Sequence, residues 1–271
     1  MSDLRADQII GEHPDAPHPC GVHFEATDQY SAHTVPHRVL DDAPLQVAEF
    51  TTSMAGYIVI HHASPEAIAR DSNLREALAR QGFPSPARSR FPDDLNTQKG
   101  NWAEILLAEY LVASCNAQVP VYRLRYNPNV DQSMKGDDVL AFDLDSNPVR
   151  ILVGEAKFRA KPTRVAVEQI VGGLVRSQSA NIPASLQFVA ERLFEAGNNE
   201  LGSKVAACNA LFAEGRLQLD YVGLLVSNRD AHRFVQTHAE TNVRRLAVVS
   251  LGLTEAERIV TASFAAAKAG I

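Results

Sequence analysis

Arg150-Ile-Leu-Val-Gly-Glu155-Ala-Lys157-Phe158, preceded by Gly136-Asp-Asp138-Val-Leu-Ala-Phe142, is the stretch on which the fold turns. Each segment is an apolar run of strand length, yet each carries charge where a buried strand normally carries none. In an extended chain, side chains two apart point the same way. Ile151, Val153, Glu155 and Lys157 therefore share one face, and Leu152, Gly154 and Ala156 take the other. A carboxylate and an ammonium sit side by side at the end of the second strand. Asp138 lies 155 − 138 = 17 positions earlier, and a hairpin-like return of the chain brings it to the same point. Gly136 gives the backbone freedom to turn tightly into the first strand. Alternation admits only one of Asp137 and Asp138 to the face of Glu155. Asp138 directly precedes the apolar run and is assigned that place, while Asp137 is expected to face solvent or cap the turn.

Outward from this pair, helix and strand signals alternate. Gly100–Ser114 predicts a helix that is apolar on most sides, suited to packing on a sheet. At about 100° per residue, Glu104 falls among Leu107, Ala108, Leu111 and Cys115. A carboxylate left dry there would ionise only at raised pH, unless a cation or a basic partner compensated it. Val119–Tyr126, Val139–Leu144 and Val149–Lys157 read as strands, followed by a helix over Thr163–Gln178. Leu186–Ala196 and Asn199–Gly215 read as helices, Leu217–Val226 and Arg244–Leu251 as strands. A last helix opens at Thr254, with Glu257 as its capping-box partner.

Upstream, Ala55–His62 reads as a buried strand and Pro65–Gln81 as a helix entered from Ser64. Short strands around Val47–Thr51 are the only other expectation in the first fifty residues. The proline-rich stretch Gly82–Pro92 is the best boundary, dividing an N-terminal region (1–92), a candidate for contacting a partner, from a main domain (93–271). The expected fold is a mixed α/β layer structure.

Composition narrows the classes further. The chain has 271 residues and a net charge of −6, from 26 basic and 32 acidic side chains, so overall charge does not mark it as a nucleic-acid binder. Locally the balance reverses. Between positions 150 and 164 stand Arg150, Lys157, Arg159, Lys161 and Arg164 against Glu155 alone. Cys20, Cys115 and Cys208 are odd in number and widely spaced, which argues for free thiols. No segment approaches the roughly 18 consecutive apolar residues of a membrane span. The N-terminus lacks the layout of a signal peptide, so a cytoplasmic location without membrane contact is expected. His13, His18, Cys20 and His23 carry metal-binding groups, but at a spacing that matches no familiar zinc finger. His61 and His62 close a predicted strand, where alternation would separate their rings. The chain has no Gly-rich phosphate loop, nucleophile elbow or H-E-x-x-H.

Phosphodiester hydrolysis needs neutralised phosphate oxygens, an activated water and help for the departing alkoxide, all of which a divalent ion can supply. Asp138 and Glu155 offer the hard oxygens that Mg2+ prefers, and Lys157 can hold a phosphate oxygen or orient the water. A plain ion pair between Glu155 and Lys157 stays open beside this reading, as does a helix carboxylate paired with an arginine for Glu104.

Gly-x-Asp before one strand and Glu-x-Lys at the end of the next, with a Glu-bearing helix upstream and another helix downstream, resembles the PD-(D/E)XK nuclease superfamily. Within it, Gly100-Asn-Trp-Ala-Glu104, Lys135-Gly-Asp-Asp138 and Gly154-Glu-Ala-Lys-Phe-Arg159 resemble the nuclease subunits of the Hachiman antiphage system. The likeness spans about Gly100 to Gln178, and the proline of the namesake motif is replaced by Gly136-Asp137. It implies a restriction-endonuclease-like mixed β-sheet core flanked by helices, with an N-terminal α+β extension. It further implies a Mg2+- or Mn2+-dependent deoxyribonuclease. Asp138, Glu155, Glu104 and the Ala156 carbonyl would be metal ligands, and Lys157 the catalytic lysine. Gln169 would face the site, with Arg159, Lys161 and Arg164 as DNA contacts. The implied partners are DNA and a superfamily 2 helicase subunit, joined in a heterodimer. Two rival readings stay open: a non-cleaving DNA-binding or scaffolding subunit that uses only the basic rim of Arg159, Lys161 and Arg164, and a hydrolase of small phosphates, which would need an enclosed pocket.

Overall fold

The computed structural model describes residues 4–84, 89–132 and 134–270. In chain order its elements are α1 (Asp7–Ile10), α2 (Pro19–His23), β1 (Glu25–Tyr30), β2 (Pro36–Asp41), α3 (Val47–His62), α4 (Pro65–Arg80) and α5 (Leu95–Cys115). A 3-10 turn (Arg123–Tyr126) leads to β3 (Val139–Asp143), β4 (Val149–Phe158), α6 (Arg164–Ser179), α7 (Leu186–Glu195) and α8 (Asn199–Ala213). The chain closes with β5 (Leu217–Ser227), α9 (Ala231–His238), β6 (Leu246–Gly252) and α10 (Ala256–Ala269). Of the expected proline-rich connection, positions 85–88 lie outside the described residues.

All six strands form one sheet in the order β1-β2-β6-β5-β4-β3. The central strands β4, β5, β6 and β2 run parallel to their neighbours, and the outer pairs β1–β2 and β3–β4 are antiparallel. Parallel strands are covered on both faces, which is why β5 and β6 are nearly continuous apolar runs. Leu152, Ala156, Leu224 and Val249 pack into one core with Phe50, Trp102, Leu107 and Phe264 from α3, α5 and α10. Ile151, Val153, Leu225 and Val248 pack into the other, with Val167, Ile170, Val189 and Val205 from α6, α7 and α8. The expected mixed α/β architecture is what forms. The N-terminal extension supplies α1, α2, β1, β2 and α3, and β2 joins the sheet beside β6.

Several elements differ from the sequence expectation, each for a physical reason. Ala55–His62 is not a strand but the second half of α3, and the strand expected at Val47–Thr51 is its first half. Phe50, Met54, Ile58 and His61 recur at helical spacing and form its buried stripe, which outweighs the local β preference of Tyr57-Ile-Val-Ile60. Val119–Tyr126 forms no strand; Gln118 makes one bridge to Phe142, and Pro120, with no N–H for a ladder, is followed by the 3-10 turn. Strands β1 and β2 went unforeseen in stretches of weak periodicity, and α9 because its 8 residues are too short a window for a helical period to stand out. The capping box at Thr254 does not form. Glu257 pairs instead with Lys99, while the Thr254 N–H donates to Asp42 and its hydroxyl accepts from Arg229. The three cysteines are free and buried. No helix among the described residues is long and apolar enough to cross a membrane.

Candidate active site

The register of the β3–β4 pair assembles the site. Val139 stands opposite Gly154, so Asp138, the residue just before β3, lies close to Glu155, whose side chain faces α6. β3 begins only at Val139, and the Ala156 N–H beyond it has no strand partner. Asp138 replaces that partner: its Oδ2 accepts from the Ala156 N–H at 2.9 Å, which fixes the carboxylate at the strand end. Lys157, two residues beyond Glu155 on the same face, places Nζ 2.5 Å from Glu155 Oε1 and 3.9 Å from Asp138 Oδ2. Behind Glu155 the α6 backbone comes close at Gly173, where an added Cβ would stand 2.9 Å from Glu155 Cδ.

Glu104 arrives from the opposite face of the sheet. At Gly154 an added Cβ would lie 2.8 Å from Val139 Cβ and 2.9 Å from Leu107 Cδ2, so α5 rests directly on the strand pair. That close approach carries Glu104, three residues before Leu107, to the sheet edge beside Asp138. Its side chain is 12% exposed, and its Oε2 lies 3.7 Å from Arg123 Nε. Neither of those two atoms has a hydrogen-bond partner among the described residues. Burial first, and the Asp138 charge second, push the Glu104 carboxyl up to about 8 against the opposing pull of Arg123 and Lys157. The Glu155 carboxyl is raised by the same two causes, offset by its bond to Lys157.

Three carboxylates thus share one partly buried edge with one lysine and one arginine. Among the described residues no three Asp, Glu, His or Cys side chains form a ready-made metal cage. The Lys157 ammonium and the Arg123 guanidinium take the cationic places instead. Mg2+ typically needs only one or two carboxylates, with water and substrate oxygens completing the shell. The orphaned Glu104 oxygen and the raised Glu104 and Glu155 carboxyls mark excess negative charge, which a divalent ion would relieve. The residues fit such an ion.

Other expected residues divide. Asp137 is neither solvent-facing nor a simple turn cap. It is buried, its Oδ1 accepts from Ser177 Oγ at 3.0 Å, and its Oδ2 accepts from the Ser185 N–H at 3.2 Å. Its N–H donates to Ser185 Oγ, and its carbonyl accepts from Arg123, so it anchors the loop that delivers Asp138. Arg159 bonds Gln169 at 3.1 Å and Arg164 bonds Glu168 at 2.6 Å, while Lys161 is exposed. Arg150 does not belong to that basic rim. It sits near the far end of β4, about 17 Å along the strand from Glu155, paired with Asp220. His13, His18 and His23 bond separately to Tyr110 and Phe24, Tyr57 and Cys20, and Gln46. His61 and His62 end a helix and are both buried, His61 against Glu109 at 2.6 Å and His62 against Asn101 at 3.1 Å. Arg123, Ser177, Ser185 and Gly173 escaped the sequence reading, since no spacing links them to the strand pair.

A mixed six-stranded sheet flanked by helices, with acidic groups and a lysine meeting at the β3–β4 edge, is consistent with a nuclease-like α/β core. The HamA family model matches residues 20–267. Among curated proteins, the Hachiman protein HamA of Bacillus cereus is 33% identical over 251 residues, covering 92% of this chain and 90% of the relative. The chain belongs to the HamA family.

Proposed function

We propose that this chain is the DNA-cleaving component of a Hachiman antiphage defence complex, acting with Mg2+ or Mn2+ beside a superfamily 2 helicase in a heterodimer. The observation that carries the reading is the convergence of Asp138, Glu155 and Lys157, with Lys157 Nζ 2.5 Å and 3.9 Å from the two carboxylates. Membership of the HamA family supports the defence role.

Asp138, Glu155 and Glu104 would hold the cation, with the Ala156 carbonyl as a further donor. A bound divalent ion supplies charge neutralisation at the phosphate and a water of lowered pKa. The chain's own residues do the rest. Lys157, whose ammonium bonds Glu155 at 2.5 Å, would grip a non-bridging oxygen of the scissile phosphate. The Ala156 N–H holds Asp138 in a single orientation, and the Asp137–Ser177–Ser185 network keeps its loop in place. Lys161 and the Arg159–Gln169 pair lie beyond the lysine, toward α6, where they would meet flanking phosphates.

The test is cleavage of plasmid and linear DNA by the full chain, alone and with its helicase partner, with each metal. Lys157→Ala and Glu155→Ala should abolish cutting while circular dichroism and melting stay native. Equal cleavage by wild type and Lys157→Ala would refute the reading. DNA binding that survives loss of the carboxylates, without cleavage by wild type, would leave the scaffolding alternative standing.

A further inference from the structure

Beside the acidic cluster lies a cleft of about 340 Å³ with Glu104 and Asp138 on its inner wall. Much of the rest is hydrocarbon and aromatic, Val119, Val121, Leu124, Phe188 and Val189 from the segment after α5, the 3-10 turn and α7, with Arg123, Asp137 and Ser185 among the polar lining. A cleft that shares two carboxylates with the reacting cluster is suited to the part of the substrate that is neither charged nor flexible.

Two of the lining rings, Tyr122 and Phe188, each carry a guanidinium on their face. The Arg125 guanidinium lies 4.7 Å from the centroid of the Tyr122 ring, and that of Arg192 lies 5.5 Å from Tyr126 and 5.6 Å from Phe188. Arg192 is paired with Glu195 at 2.5 Å, and its buried Nε has no hydrogen-bond partner among the described residues. Lys135 is an exposed member of the cleft lining. On a chain of net charge −6, this gathers cationic groups and aromatic faces at one place. A nucleotide offers the complement: a flat apolar base and an anionic phosphate. The volume is at the small end for a ligand pocket and suits one base.

We propose that this cleft is a subsite for one unpaired base of the DNA strand being cut, with Lys135, and Arg125 stacked on Tyr122, gripping the phosphates beside it. The preferred substrate is then a single strand or a frayed end, because a base in intact duplex reaches such a pocket only by leaving its stack. The identity of the strand rests on the nuclease reading; occupancy of the cleft by a base does not.

Binding is measured by fluorescence anisotropy on the full chain, with EDTA present so that no cleavage occurs. Three probes of equal length are compared: a labelled single strand, its duplex, and a strand in which every nucleotide lacks its base. Wild type should bind the ordinary strand roughly 5- to 150-fold more tightly than the base-free one, and more tightly than the duplex. Ala184→Trp, at an exposed position on the wall, should erase that preference by filling the cleft. Phe188→Leu keeps hydrocarbon there but removes the ring, and should weaken the ordinary strand alone. Equal affinity for ordinary and base-free strands, duplex bound as well as single strand, no binding of any probe, or a folded Ala184→Trp that keeps the preference would each overturn the proposal. A chain that shows the base preference yet cuts nothing with Mg2+ and its partner keeps the subsite and loses the nuclease reading.

Discussion

Glu104 shows how a site residue can work against the fold that carries it. Its carboxyl, ordinarily near 4.5, is pushed up to about 8 by burial and by Asp138. Between those values the unfolded chain is ionised and the folded chain keeps the proton. Folded protein then binds more protons, so stability falls as pH rises through this window and levels off above it. The penalty is of the order of a few kcal/mol. Glu104→Gln should therefore melt several degrees above wild type near pH 9 in EDTA, with little difference near pH 4, as read by thermal denaturation across pH. Mg2+ should raise the melting temperature of wild type near pH 9 and have far less effect on the variant. At Gly173, where an added Cβ would stand 2.9 Å from Glu155 Cδ, Gly173→Ala should turn the carboxylate aside. DNA cleavage should drop at least tenfold while the melting temperature stays within a few degrees, because the crowded group is a side-chain end that can rotate. The three residues that meet at the strand end were legible because period-two alternation fixed their face. Arg123, Ser177 and Ser185 were not, because they come from distant segments and only folding brings them to the loop.

At the scale of elements, the contact between α5 and the β3–β4 pair decides where the site sits. The absent side chain of Gly154 lets Leu107 and Val139 close over the strand. Gly154→Ala would force α5 outward and should cost about 1–3 kcal/mol by overpacking, measured by urea denaturation. It should also lower cleavage, since Glu104 moves with the helix. Strands β4, β5 and β6 could be read from sequence because strands buried on both faces need uninterrupted apolar runs. α3 was misread for a related reason: a short apolar run such as Ala55–Ile60 fits a buried strand or a buried helix, and only the longer stripe from Phe50 to His61 separates them. β1 and β2 gave little signal, since β1 is largely exposed and β2 buries the polar residues His37 and Arg38.

Across the whole molecule, buried charge ties the N-terminal segment to the sheet. Asp220 on β5 is fully buried and bonds Arg150 and Arg245, which in turn donate to the carbonyls of Ile9 and Gln8 in α1. Asp220→Ala strands two cationic groups and should cost about 3–5 kcal/mol in urea unfolding. Burial also lowers His37 and His62 from 6.5 to about 4. Each stays neutral in the folded chain while the unfolded chain takes up a proton, so stability is intact above pH 6.5 and is lost as pH falls toward about 4. Denaturation midpoints should show that acid limb beside the alkaline limb set by Glu104. The most direct measurement is anomalous X-ray scattering from crystals of the full chain soaked in Mn2+. A Mn2+ peak within reach of the Asp138 and Glu155 carboxylates, with Lys157 drawn away from Glu155, is the predicted result. No peak there, with Lys157 still bound to Glu155, would contradict the account.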